Sequence, residues 1–129
     1  MAILLDMATS RETRPEVLAR LSTNFGWEIR YEVAKNPSTP VEILQNLAMD
    51  KAWPVANAVA KNPNTSLETL VKLAKHSDCE VRNTVAENPK TPAAALVVLL
   101  TDENEAIQEA AMNNPNCPLE LKVEYILSN

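Results

Sequence analysis

The sequence predicts an all-α fold, an α-solenoid of 26-residue two-helix repeats without β-sheet, and three observations carry that expectation. The dipeptide Asn-Pro recurs at Asn36, Asn62, Asn88 and Asn114, each 26 residues after the last. Between these breaks the apolar residues keep helical spacing, and no stretch of useful length alternates apolar and polar as a half-buried strand does. A fixed period of this size marks a repeat array, in which each unit buries its apolar face against the next. Helices of 8 to 11 residues, the length that two helices and two turns leave in such a period, are marginal alone and depend on that stacking.

The elements follow from the register. Ile3 and Met7 match Ile29 and Val33, so residues 1–10 read as a partial helix B. Four full repeats follow at 13–36, 39–62, 65–88 and 91–114, each a helix A and then a helix B, and residues 117–129 form a C-terminal capping helix. Helix A opens on Thr39-Pro40-Val41-Glu42, Thr65-Ser66-Leu67-Glu68, Thr91-Pro92-Ala93-Ala94 and Cys117-Pro118-Leu119-Glu120, with Thr13 and Glu16 the earlier copy. This pattern predicts a capping box: threonine accepts a bond from an orphan amide, proline stands at the first helical position, and glutamate bonds back to the cap. Leu18, Leu44, Leu70 and Leu96, then Leu21, Leu47, Leu73, Leu99 and Tyr125, supply the buried stripe of helix A. Helix B, at about 27–35 and its copies, has Ile29, Val55, Val81 and Ile107 four residues before Val33, Val59, Val85 and Ala111, so both columns share one face. A small-residue column, Ala34, Ala60 and Ala86, lets neighbouring helices approach. Asparagine before proline ends helix B, because proline disfavours the helical region at the preceding residue, and its amide can bond the turn backbone.

Composition excludes much chemistry. The chain has 129 residues, 12 basic against 17 acidic, a formal net charge of -5 and one glycine, Gly26. Dinucleotide fingerprints and phosphate loops need several glycines. One histidine, His76, cannot make a two-histidine zinc motif, and two cysteines, Cys79 and Cys117, cannot make a four-cysteine site. No cofactor and no metal are expected. His76 reads as a solvated turn residue, and the adjacent Ser77 and Asp78 do not make a triad, whose members meet from separate elements. The two cysteines read as free thiols, and with neither a secretory signal nor an apolar run long enough to span a membrane the expected location is the cytoplasm. The acidic balance and the scatter of lysines and arginines weigh against nucleic acid.

The pattern V-A-x-N-P-x-T-P-x-x-x-L-x-x-L-A, seen from Val33 through Pro40 to Leu44, Leu47 and Ala48, resembles the leucine-rich repeat variant family. Val81-Arg82 and Val85-Ala86-Glu87-Asn88-Pro89 resemble the V-R-x-x-V-A-x-N-P half of its repeat. The resemblance covers nearly the whole chain and implies a right-handed superhelix of α-helices alternating with shorter, sometimes 3₁₀, helices. The period here is longer than is usual in that family, which implies a fuller helix B. The cysteine-rich iron-sulfur domain of some members has no matching cysteines here.

The expected function is a non-enzymatic protein-interaction scaffold, its protein partner unknown. Trp27 and Trp53 open successive copies of helix B, with Tyr31 one turn after Trp27. This column faces away from the Ile29/Val33 side, so it forms either an exposed aromatic strip or a cover for the edge of the core. Arg30, Arg82, Asn57 and Asn83 would give such a strip a polar rim. Val97 and Val98 make one helix A apolar nearly all round, which fits a homo-oligomer patch or extra cover from the C-terminal helix. The alternatives are a helical-repeat reader of nucleic acid, an enzyme on the same scaffold, or a homo-oligomeric building block.

Overall fold

The computed structural model describes residues 2–129. Among them the backbone forms ten α-helices and no strand: α1 (Ala2–Thr9), α2 (Pro15–Leu21), α3 (Trp27–Lys35), α4 (Val41–Leu47), α5 (Trp53–Lys61), α6 (Leu67–Leu73), α7 (Cys79–Glu87), α8 (Ala93–Leu99), α9 (Glu105–Asn113) and α10 (Leu119–Ser128). No helix is long and apolar enough to cross a membrane among the described residues. The chain divides into two compact units, residues 1–66 and 67–129.

In the first unit α3 packs on both α1 and α5, while α2 touches α1 and α3, and α4 touches α3 and α5. Leu18, Ile29, Val33, Leu44, Val55 and Val59 are completely buried there. In the second unit α7 packs on α9, α6 on α7 and α8, and α8 on α7 and α9, over Leu70, Val81, Val85, Leu96, Leu99 and Ile107. These are the residues that helical spacing assigns to the inward face. Each buried leucine or valine contributes about 1.5 to 3 kcal/mol by leaving water, which is how helices this short persist.

The helix B copies α3, α5, α7 and α9 each span nine residues. Each ends on asparagine in extended backbone, with Asn36 at φ -67°, ψ 122° and Asn114 at φ -68°, ψ 134°, as the following proline requires. The helix A copies α2, α4, α6 and α8 span only seven residues, about two turns, shorter than the 8 to 11 expected.

The capping box is not formed at α2, α4 or α8. Pro40 and Pro92 are themselves the N-cap residues, in extended backbone, and no side chain bonds a helix A amide there. The threonine before each turns the other way: Thr39 Oγ1 donates to Val33 O at 2.7 Å, Thr65 Oγ1 to Val59 O at 2.6 Å, Thr91 Oγ1 to Val85 O at 2.6 Å and Thr13 Oγ1 to Met7 O at 2.5 Å. At the buried Thr39, Thr65 and Thr91 the hydroxyl places its proton on a carbonyl in the last turn of the helix B just ended, which also accepts the backbone amide of Asn36, Asn62 or Asn88. Glu42 and Glu68 stand in solvent.

The asparagines do more than end helices. Each Oδ1 accepts from its own turn: from Ser38 N for Asn36, Asn64 N for Asn62 and Asn116 N for Asn114, all at 2.9 Å. Asn88 Oδ1 likewise accepts from Lys90 N at 2.9 Å. Three of the Nδ2 groups reach back to an earlier turn, Asn36 to Ala8 O and Ser10 O at 2.8 Å, Asn62 to Ala34 O at 2.7 Å and Asn36 O at 3.0 Å, Asn114 to Ala86 O and Asn88 O at 2.8 Å. One amide thus bonds two carbonyls, a buried one near the end of the preceding helix and one in the turn that also accepts the amide of Thr13, Thr39 or Thr91. Near-absence of glycine has its reason in the turns, since no described residue has positive φ and Gly26 itself sits at φ -74°.

Candidate functional site

The strongest candidate is the α3–α5 face of the first unit. Trp27 and Trp53 occupy the first positions of their helices and are 43% and 44% exposed, so each ring is part wall and part surface. Tyr31, one turn on, meets Trp27 edge to face with centroids 6.1 Å apart and planes at 67°, a favoured aromatic geometry. Lys35 Nζ lies 4.9 Å from the centre of the Tyr31 ring and 3.8 Å from Glu32. A groove beside these rings is lined by Tyr31, Lys35, Asn57, Ala58, Lys61, Asn62 and Pro63. Trp27, Tyr31, Trp53 and Asn57 are therefore on or beside one continuous stretch of α3 and α5, half-buried or exposed.

Arg30 and Arg82 do not form the polar rim expected of them. The Arg30 Nε donates to Asp50 Oδ2 at 2.7 Å and Nη2 to Oδ1 at 3.1 Å, while Nη1 donates to Asn24 O at 2.7 Å and Phe25 O at 2.9 Å. In the second unit Arg82 repeats the arrangement, with Asp102 at 2.7 and 3.4 Å, His76 O at 2.8 Å and Ser77 O at 3.0 Å. Only 19% and 11% of these arginine side chains is exposed. A planar guanidinium is suited to such a fork-on-fork pair, and here it clasps the turn before its own helix to the turn after the next one. Burial alone would raise the Asp50 and Asp102 carboxyls, but the bonds and charge of the arginines, with the amides of Ala52 and Asn104, hold both below the ordinary carboxylate range. The bond to its aspartate holds each guanidinium above its usual value. Asn83 likewise spends its amide on Glu87 Oε1 at 2.6 Å. The signal for the clasp is in the sequence, since Arg30 and Arg82 each stand twenty residues before an aspartate.

The turns hold one candidate that sequence reasoning missed. Phe25 is wholly exposed, on a backbone fixed by Arg30. The equivalent positions carry Lys51, Ser77 and Glu103, so a phenyl ring in that surface column is out of place.

In the second unit Val97 is 46% exposed and shares an apolar groove with Leu100, Leu121 and Tyr125. Val98 lines a separate polar hollow with His76, Arg82 and Thr101, so the two valines do not form one patch. The C-terminal helix α10 lines the same groove as Val97 and leaves its own Leu119, Ile126 and Leu127 exposed. His76 is held in its turn, its Nδ1 accepting from Asp78 N at 3.0 Å, the part that Asn24, Asp50 and Asp102 play elsewhere. Cys79 is exposed; Cys117, 26 residues after Thr91, is buried, and that burial pushes its thiol up against the opposing charge of Lys122. No cluster of three or more His, Cys, Asp or Glu side chains that could hold a metal occurs among the described residues. No protein-family model, curated protein or solved structure matches the chain.

Proposed function

We propose that this chain is a right-handed α-solenoid of the leucine-rich repeat variant kind, acting without catalysis as a scaffold that binds another protein through the α3–α5 face. The observation that carries the reading is the aromatic set of exposed Trp27 and Trp53 with half-buried Tyr31 beside a groove, on helices whose backs are fully buried. Tryptophan and tyrosine at the centre of a rigid surface are the side chains that anchor interfaces. The layered reading is supported by the order of packing within each unit, α1 on α3 on α5 and α7 on α9. It is supported too by asparagine bonds that repeat at one sequence offset.

A photo-reactive benzophenone side chain at position 57, introduced in cells of the source organism, tests this. The expected result is one discrete protein adduct, absent with the same group at position 72 on α6 and lost in a Trp27→Ala/Trp53→Ala background. Equal labelling from both positions, or none from 57, overturns the reading.

A second reading, a homo-oligomeric building block, is favoured by the apolar surface of α10, where Leu119 is 76% and Leu127 81% exposed. Light scattering before and after Leu127→Glu separates the two: a mass that falls to one chain supports self-association, and a mass of one chain throughout removes it.

A further inference from the structure

The face just described is chemically zoned, and we infer from the zoning that it takes an extended acidic peptide with an apolar anchor at one end. This rests on the scaffold reading and adds the chemistry of the partner. Along α3 the order is Trp27, Tyr31, Lys35, and along α5 it is Trp53, Asn57, Lys61. Positions four apart share a face, so two aromatic rings lie at one end and two ammonium groups at the other. The groove joins the two zones at Tyr31, with both lysines on its rim and Ala58 and Pro63 in its wall.

Charge selects the occupant. The chain carries net charge of -5, yet α5 has Lys61 and no acidic residue. On α3 Lys35 has Glu32 beside it at 3.8 Å, with half of the lysine side chain exposed. The lysine end is thus a local cationic site on an anionic protein, matched to carboxylates. A single-stranded nucleic acid would also stack on the rings, but it carries a charge at every phosphate, and at the tryptophan end Arg30 is committed to Asp50, which leaves Lys51 in the turn before Trp53. Eight residues of helix separate Trp27 from Lys35, about 12 Å of rise. An extended chain covers that in three to four residues, so the anchor and the first carboxylate of the partner should stand three or four positions apart.

The probe is a fluorescein-labelled hexapeptide, Leu-Ser-Pro-Ser-Glu-Glu, followed by anisotropy and by tryptophan emission of the full chain. Binding is expected, with a change in tryptophan emission, and a loss of at least about tenfold in affinity in Lys35→Glu/Lys61→Glu, whose circular dichroism should match the parent because both positions are exposed. Lys72→Glu should bind as the parent does. The peptide ending in Lys-Lys, and one with the glutamates directly beside the leucine, should each bind at least about tenfold more weakly. The inference is overturned if the acidic peptide does not bind, if acidic and basic peptides bind alike, if the double lysine variant binds normally, or if a ten-nucleotide oligothymidylate displaces the peptide. A basic or neutral peptide that binds and is lost in Trp27→Ala/Trp53→Ala would sink the acidic assignment and leave the scaffold standing; labelling from position 57 that fails its own test sinks the scaffold.

Discussion

Replacing Asn62 separates a helix stop from a structural tie. If its only service were to end α5 before Pro63, alanine would do nearly as well, because proline biases whatever residue precedes it. In the structure the side chain is 5% exposed and makes three bonds: Nδ2 to Ala34 O at 2.7 Å and to Asn36 O at 3.0 Å, and Oδ1 from Asn64 N at 2.9 Å. Each is worth about 0.5 to 1.5 kcal/mol net, and the loss falls hardest at Ala34 O, since Asn36 O keeps the backbone amide of Thr39. Asn62→Ala should therefore destabilise by about 3 kcal/mol, on the order of 10 °C in Tm for a chain of this size. Asn62→Asp is the sharper variant. It keeps the shape and the acceptor for Asn64 N but turns a double donor into a carboxylate facing two carbonyls, so at pH 7 it should be less stable than alanine. Burial and the two carbonyls raise the folded-state pKa of that carboxyl above its unfolded value. The folded form then holds its proton to higher pH, and the variant should regain stability toward and below about pH 4 relative to the parent. Urea melts followed at 222 nm, at neutral and acid pH, measure this. An alanine variant within about 0.5 kcal/mol of the parent, or an aspartate variant as stable as the parent at pH 7, would refute the tie.

Arg82→Ala and Asp102→Ala should each destabilise, and the double variant by less than their sum, because either single change leaves a partly buried charge alone; urea melts of the cycle test it. Since Asp50 and Asp102 are held below the ordinary carboxylate range, the folded chain binds fewer protons in acid than the unfolded one. Their contribution is complete above about pH 5 and fades as pH falls through their folded values, and Asp50→Asn/Asp102→Asn should flatten the acid limb of stability against pH. Leu70→Ala, at a site 1% exposed, should cost about 2 to 5 kcal/mol, while Lys72→Ala on the solvent side stays within about 0.5 kcal/mol; equal melts would mean that the inward face is misassigned. Cys117→Thr should stabilise by about 0.5 to 1.5 kcal/mol by giving Ala111 O the hydroxyl that Thr91 gives Val85 O, and an unchanged or lower Tm would refute it.

The sequence made the helices legible because their signals are local. Helix B over 27–35 and its copies needed only Ile29 and Val33 four apart and an Asn-Pro stop, and α3, α5, α7 and α9 occupy those spans. Misreadings came where a side chain had two partners of equal chemical sense. Threonine at these positions suits an N-cap in sequence, yet the hydroxyl is buried and its proton needs an acceptor, which the carbonyl six residues back supplies. Arg30 looked like a rim residue because its aspartate lies a full helix and turn away, beyond any local window. The aromatic face was half legible: spacing put Trp27, Tyr31 and Trp53 together, but the lysine-rimmed groove beside them depends on how α3 and α5 pack.

The three asparagine amides all point toward the N-terminus, from Asn36 to Ala8, from Asn62 to Ala34 and from Asn114 to Ala86. A nascent chain emerges in that same direction, at about 5 to 20 residues per second. Whenever one of these donors leaves the ribosome its acceptors already exist, so each segment can be fastened on arrival without waiting for sequence still to be translated. In these ties the group that waits at a pause is a carbonyl, which water can satisfy until the next asparagine arrives.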